Sequence, residues 1–447
     1  MLVILSVVVV GALVAVLLVL RTPAGDEGER LASASTAAPS VPASADPASP
    51  PARKSVLLDV EGAVIEEFSG DCASSGHRYL CRYVGERLAA LDPGLPARGG
   101  LTIRTTIDQR LQRAVQRAVD TRVHRDDPQV ATQVMIVPGE GAIRAMATSS
   151  GNGDVPGFQQ GTTAMPYTLA AAFAAGLRSD DGFLVPDRYY APSYSAFKNC
   201  ANQAVGDPSH SVGDREKKGK RFVTLRSGTR EAVNTFFMLL EEKVGLCETV
   251  RMAERLGLRR TDGSPLREFE TFTLGVNETD PVSVATSYAT LAARGRFCEP
   301  TVITEIRDGS GAPRSFPPRC REVLDPAVAD AVTGVLSDAP AGSAPRGVGR
   351  EAAGMPGTVN GHTAAWYAGY TPALASAVSL GDSRGAFHHT LRDVTISGRH
   401  YPGGEASSIP ASIWKETMTE AVRGTPETGF TRPDAERFGA CRDACPS

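Results

Sequence analysis

Residues Gly161–Gly176 read GTTAMPYTLAAAFAAG, a small polar pair set directly before an apolar, alanine-rich run. The run predicts a buried helix from Met165, and a hydroxyl on the turn before such a helix is where several enzyme families seat a nucleophile. Thr162 and Thr163 supply the hydroxyls, but the following turn carries Met165 where a base is needed. A hydroxyl attacks poorly until a neighbouring base removes its proton, and a thioether has no useful basicity at neutral pH. The stretch therefore poses a question of chemistry as well as of fold.

Upstream of it, Gln129–Thr148 (QVATQVMIVPGEGAIRAMAT) predicts a hairpin about Gly139 and Gly141. Leu101–Val123 (LTIRTTIDQRLQRAVQRAVDTRV) passes from alternation to helical spacing at Asp108, an N-cap candidate, and Ser55–Phe68 (SVLLDVEGAVIEEF) is strand-forming. Downstream, REAVNTFFMLLEEKVG (230–245) and ETVRMAERLG (248–257) predict amphipathic helices, the second closed by Gly257. VSVATSYATLAARG (282–295) predicts a buried helix, TVITEIRDGSGAPRSF (301–316) a second hairpin, and HTAAWYAGYTPALASAVSLGD (362–382) two strands about Thr371 and Pro372. Strands, then many helices, then strands again argue for an α+β fold with helices packed on an antiparallel sheet.

The 447 residues are 42% hydrophobic, enough for a large core, and the net charge of −3 from 47 basic and 50 acidic residues gives no field that would draw nucleic acid. Met1–Leu20 carries no charge and is long enough to span a bilayer, which predicts a transmembrane anchor; a cleaved signal peptide is the rival, but the apolar run is too long and no basic segment precedes it. An Ala/Ser/Pro-rich linker follows over 21–53. No N-terminal Lys or Arg sets the orientation, so it rests on the eight cysteines, whose even count fits disulfides in an oxidising exterior. Cys72 with Cys81, Cys298 with Cys320 and Cys441 with Cys445 are local pairs that would leave Cys200 with Cys247, although spacing alone does not fix connectivity.

Taken together, GTTAMP (161–166), EAVNTFF (231–237) and AAGMPGTVNGHTAAWYAGYTP (352–372) resemble, in order and context, the S-x-x-K, S-x-N and K-T-G motifs of penicillin-binding transpeptidases. TIRTTIDQRLQRAVQRAVD, TFTLGVNETDPVSVATSYATLAARGRFCEPTVITEI and IPASIWKETM are similar to the family's entry strand and helix, helical middle and C-terminal helix start, so the resemblance covers about Gly70 to Met418. GDCASSGHRYLCRYVGERLA followed by RGGLTIRTTID resembles most the pre-transpeptidase segment of actinobacterial class A members, which carry a glycosyltransferase domain ahead of it; with 53 residues before Lys54, that domain is expected to be absent. The resemblance implies a penicillin-binding-protein/β-lactamase-like α+β fold divided into a pre-transpeptidase segment (54–105), a transpeptidase-like domain (106–425) and a tail (426–447) holding Cys441 and Cys445, with no cofactor and no metal.

Carried over residue by residue, the acylated serine of the family falls on Thr162 and its base lysine on Met165. The second-motif serine falls on Ala232, with the asparagine kept as Asn234; the third-motif lysine and threonine fall on Met355 and Pro356, with Gly357 and Thr358 kept. Losing a general acid or base costs about 10²- to 10⁴-fold, and three such losses leave little catalysis. The expectation is a transpeptidase fold without transpeptidase activity, engaging peptidoglycan stem peptides or other wall-synthesis proteins from the outer face of the cell membrane; the alternative is an active D,D-transpeptidase acylated at Thr162. Backbone N–H groups of Thr162 and Thr358, the family's oxyanion-hole positions, are kept, whereas Pro356 removes a donor on the same side of its strand and marks that strand as an edge.

Other motifs carry less. GDSRG (381–385) matches a hydrolase nucleophile elbow at Ser383, but the 64 residues beyond it are too few to build the strands and helices that would position Asp393 or His400. His388 and His389 lack a carboxylate or cysteine at ligand spacing, and no C-x-x-C doublet argues for zinc. REKKGKR (215–221) reads as a solvated loop able to touch anionic wall polymer or lipid headgroups.

Overall fold

A hairpin leads the described chain: β1 (Ser55–Leu58) pairs antiparallel with β2 (Val64–Phe68), and β1 pairs parallel with β3 (Thr102–Thr105) after the intervening helix α1 (Arg78–Leu91). The computed structural model describes residues 53–68, 72–214, 216, 218–309, 311–338, 347–403, 407–442 and 445. The expected anchor over 1–20 and nearly all of the linker lie outside these residues; among the described residues no helix is long and apolar enough to cross a membrane.

Asp108 caps α2 (Gln109–Arg122) as expected, its carboxylate accepting from the N–H groups of Arg110 and Leu111. The hairpin β4 (Gln129–Ile136) and β5 (Ile143–Thr148) follows, then a 3₁₀ turn at Gly161–Ala164 that runs into α3 (Met165–Ala174). Next come α4 (Asn234–Val244), α5 (Leu246–Leu256), closed by Gly257 at a positive φ of 112°, and α6 (Pro281–Ala292), started by Asp280. Strands β6 (Ile303–Arg307) and β7 (Pro313–Ser315) form the second hairpin and α7 (Pro326–Ser337) follows; β8 (Ala353–Thr358), β9 (Ala364–Tyr370) and β10 (Ala375–Asp382) precede α8 (Ser408–Val422).

These strands form two five-stranded sheets, one in the order β7-β6-β3-β1-β2 and one, fully antiparallel, in the order β8-β9-β10-β4-β5. The second sheet is buried on both faces, because alternate side chains enter different cores. Ala131, Met135, Val378 and Leu380 meet α2 and α8 through Leu111, Val115, Ile413 and Trp414. Val134, Ile136, Trp366 and Ala377 enter the larger core that holds α3, α4 and α6. Every residue from Pro281 to Leu291 of α6 is buried, which explains why that segment shows no polar face. The sheet between two helical layers is the α+β arrangement expected, with β8 at its edge where Pro356 placed it.

One element differs. REAVNTFFMLLEEKVG is not a single helix: a short helix at Leu225–Arg230 ends, Ala232 takes a positive φ of 50°, and α4 begins only at Asn234. Val233 N–H donates to Gly228 O and Ala232 N–H to Thr229 O, so the first helix is closed by left-handed backbone at a residue other than glycine. That conformation costs about 1 kcal/mol for alanine. The cysteines pair as Cys72–Cys81, Cys200–Cys247, Cys298–Cys320 and Cys441–Cys445.

Candidate active site

The turn that carries Thr162 is docked on the open edge of β8. Val359 N–H donates to Ala364 O at 3.2 Å, and the register pairs Thr358 with Ala365 and Pro356 with Tyr367. Antiparallel pairs alternate between bonded and non-bonded, so the backbone polar groups of Pro356 and Thr358 face away from β9, toward the turn. The Thr162 hydroxyl uses one of them, donating to Pro356 O at 2.7 Å.

Two glycines make that contact possible. A β-carbon on Gly357 would stand 2.3 Å from Gln160 O, and one on Gly161, whose φ is +60°, would stand 2.9 Å from the Thr358 carbonyl carbon. Both glycines are thus required by the close approach of the two backbones. From below, buried hydroxyls hold the turn in place. Tyr288 donates to Thr163 O at 2.9 Å, Thr163 donates to Gln160 O at 2.8 Å, and the Tyr167 hydroxyl lies 2.7 Å from Ser287 Oγ. Burial pushes the Tyr167 and Tyr288 phenols well above their ordinary pKa, so both stay protonated.

The positions that the resemblance sets against proton-handling groups, Met165, Met355 and Ala232, carry apolar side chains. Met165 is 0% exposed and Met355 2%, and both belong to the same hydrophobic core. Ala232 packs half-buried against that core. Asn234 donates through Nδ2 to Gly213 O at 3.2 Å, while Asp214 caps α4 through Thr235, with Thr235 Oγ1 donating at 2.6 Å. The first and third motifs therefore meet through hydrogen bonds and backbone contact. The second is placed by the packing of α4 on α3.

Chemically, this arrangement directs the one exposed hydroxyl of the turn at a peptide carbonyl, which accepts a hydrogen bond but does not take a proton at neutral pH. Asp181, Cys441 and Cys445 bring ligand-type atoms within 4.8 Å of one another, but the two sulfurs are bonded to each other and offer no thiolate. Ser383 donates to Pro128 O at 2.9 Å, and His400 pairs with Asp393 at 3.4 Å on the surface, so the GDSRG turn is a structural corner.

Several supporting residues escaped the sequence reading, among them Gln160, Gly275, which accepts from the Gln160 N–H at 3.0 Å, and Glu241. Glu241 is 0% exposed; burial pushes its carboxyl pKa well up, and it accepts only from the Thr273 N–H at 3.1 Å. Its signal was present: Phe237, Leu240, Glu241 and Val244 share one face of α4 at helical spacing, a carboxyl in an apolar stripe.

No family model matches the chain. Penicillin-binding protein 1A of Mycolicibacterium smegmatis is 28% identical over 368 residues, 75% of this chain and 43% of that protein. Penicillin-binding protein 1A of Mycobacterium tuberculosis is 28% identical over 364 residues, 75% of this chain and 41% of that one. The chain thus spans less than half the length of these curated relatives. The structure of the PonA1 protein from Mycobacterium tuberculosis in complex with penicillin V superposes with a TM-score of 0.64 at 26% identity, covering 82% of this chain and 98% of that one. Sequence likeness along three quarters of the chain and the shared fold agree in their direction: the chain is similar to penicillin-binding protein transpeptidases, among them actinobacterial class A proteins.

Proposed function

We propose that this protein is a non-catalytic module of peptidoglycan synthesis, held at the outer face of the cell membrane by residues 1–20 and the linker, and engaging stem peptides or other wall-synthesis proteins. The division into a pre-transpeptidase segment (54–105), a transpeptidase-like domain (106–425) and a tail (426–447) belongs to this reading. One observation carries it: the Thr162 hydroxyl is bonded to Pro356 O at 2.7 Å while both lysine positions of the family are buried methionines. With no amine at 165 or 355 and no hydroxyl at 232, nothing at those positions draws the proton from Thr162 or passes it to a leaving group. Four disulfides support an oxidising, extracytoplasmic setting.

Labelled penicillin tests the reading directly. The full chain, run beside an active homologue, is expected to give no covalent adduct; a stable adduct lost on Thr162→Val would establish the D,D-transpeptidase alternative instead. Restoring Thr162→Ser together with Met165→Lys is expected to leave turnover absent, because Ala232 and Met355 remain. Measurable transpeptidation by that double variant would refute the assignment of roles.

A further inference from the structure

A cavity of 1030 Å³, whose lining does not include Thr162, lies where α1, the turn at 150–156, the start of α6 and the paired strands Arg296–Cys298 and Cys320–Glu322 meet. Charged groups of both signs line it, and their commitments are unequal. Asp154 is paired with Arg82 at 2.6 Å, and Glu299 with Arg319 at 2.5 Å. Asp280 is spent on the cap of α6, accepting from the Ser283 N–H at 2.9 Å while sensing the charge of Arg87. Only Glu86 among the lining acids is left without such a partner among the described residues.

The lining arginines differ. Among the described residues Arg87, Arg259 and Arg321 make no ion pair with a carboxylate. The Arg87 guanidinium stacks 4.9 Å over the Tyr83 ring and the Arg321 guanidinium 4.4 Å over the Phe297 ring. Arg259 uses one nitrogen on the carbonyls of Glu254 and Leu258, at 2.9 and 2.6 Å. Stacking occupies the flat face of a guanidinium and leaves its in-plane N–H fork, which suits a carboxylate. Holding the groups on rings also lowers the entropy lost when a ligand arrives. Tyr79, Val155 and Val282 line the same cavity and add apolar surface to it.

We propose that this cavity docks an acidic, extended peptide segment of a partner protein, its carboxylates taken by Arg87, Arg259 and Arg321 and its apolar side chains by the surface between them. Charge complementarity favours an acidic occupant. Glu86 and Asp280 at the same cavity disfavour a uniform polyanion, and the mixed lining matches a chain that alternates charged and apolar side chains. The inference stands independently of the state of Thr162.

A fluorescein-labelled peptide of alternating glutamate and leucine, titrated against the full chain in detergent and followed by anisotropy, tests it. Saturable binding is expected, weakened at least tenfold in the double variant Arg87→Glu/Arg321→Glu and unchanged by Arg113→Glu, an exposed arginine of α2 outside the cavity. Both cavity arginines are exposed, and thermal melting confirms that the variant is folded. Equal affinity in the wild type and the double variant overturns the proposal, as does absence of saturable binding. Tighter binding of inorganic polyphosphate, lost in the same double variant, would replace the peptide with a polyanion. Loss of the labelled-penicillin result leaves this test untouched, so the two readings fail separately.

Discussion

The junction of Thr162 with β8 and the arginine-lined cavity beside α1 treat polar groups in opposite ways. At the junction the hydroxyl is consumed by Pro356 O, the lysine positions are thioethers sealed in the core, and two glycines let the backbones touch. At the cavity three guanidiniums are held on rings or backbone carbonyls, without carboxylate partners among the described residues. Polar groups satisfied within the fold serve its stability, whereas cations held in place but unpaired are available to a ligand. The Thr162 turn has the character of a structural joint, and the uncommitted charge lies elsewhere.

The largest effect on the joint is expected at Gly357. A valine there would drive a β-carbon to within 2.3 Å of Gln160 O, and the expected loss is about 3 kcal/mol in urea unfolding. A loss below about 0.5 kcal/mol, the range of ordinary surface substitutions, would mean the joint is loose and the contrast with the cavity false.

Glu241, buried on α4, makes stability depend on pH. Its folded-state pKa lies above the ordinary value of 4.5, chiefly because burial disfavours the carboxylate. The folded state therefore holds the proton more tightly than the unfolded chain. The stabilisation is complete below the unfolded pKa and is lost as pH rises toward the folded one, at no more than about 1.4 kcal/mol per pH unit. Glu241→Gln keeps the acceptor for the Thr273 N–H and is expected to flatten this slope in stability measured from pH 4 to pH 8. An unchanged slope would locate the titration in another group.

The smallest effect is expected at the hydrogen bond itself. Thr162→Val keeps the shape and removes the donor to Pro356 O, a loss of about 1 kcal/mol read as a lower melting temperature. A variant as stable as the wild type would show that the bond is exchanged for water without cost and that the edge of β8 is open.

Much of this was legible in residue order. Asp108 announced its helix because a short carboxylate before a periodic run satisfies free N–H groups, and Gly257 announced an end because glycine accepts positive φ freely. Position alone set Met165 and Met355 against the two lysines of the motifs that the sequence resembles. The break at Ala232 was not legible, since alanine favours helix and the left-handed turn is imposed by bonds to Gly228 and Thr229. Glu241 carried a signal in its apolar stripe, but its single N–H partner comes from Thr273, 32 residues away.

Residue order carried the succession of elements and the resemblance to penicillin-binding transpeptidases, because these follow from residue chemistry and local periodicity. The fold alone brings the Thr162 hydroxyl to donate to Pro356 O, 194 residues away, and sets three arginines from distant segments on one cavity. Such encounters depend on which edge of β8 is left unpaired and on how α1 meets the start of α6. Those are properties of packing between elements, and no spacing within a single element encodes them.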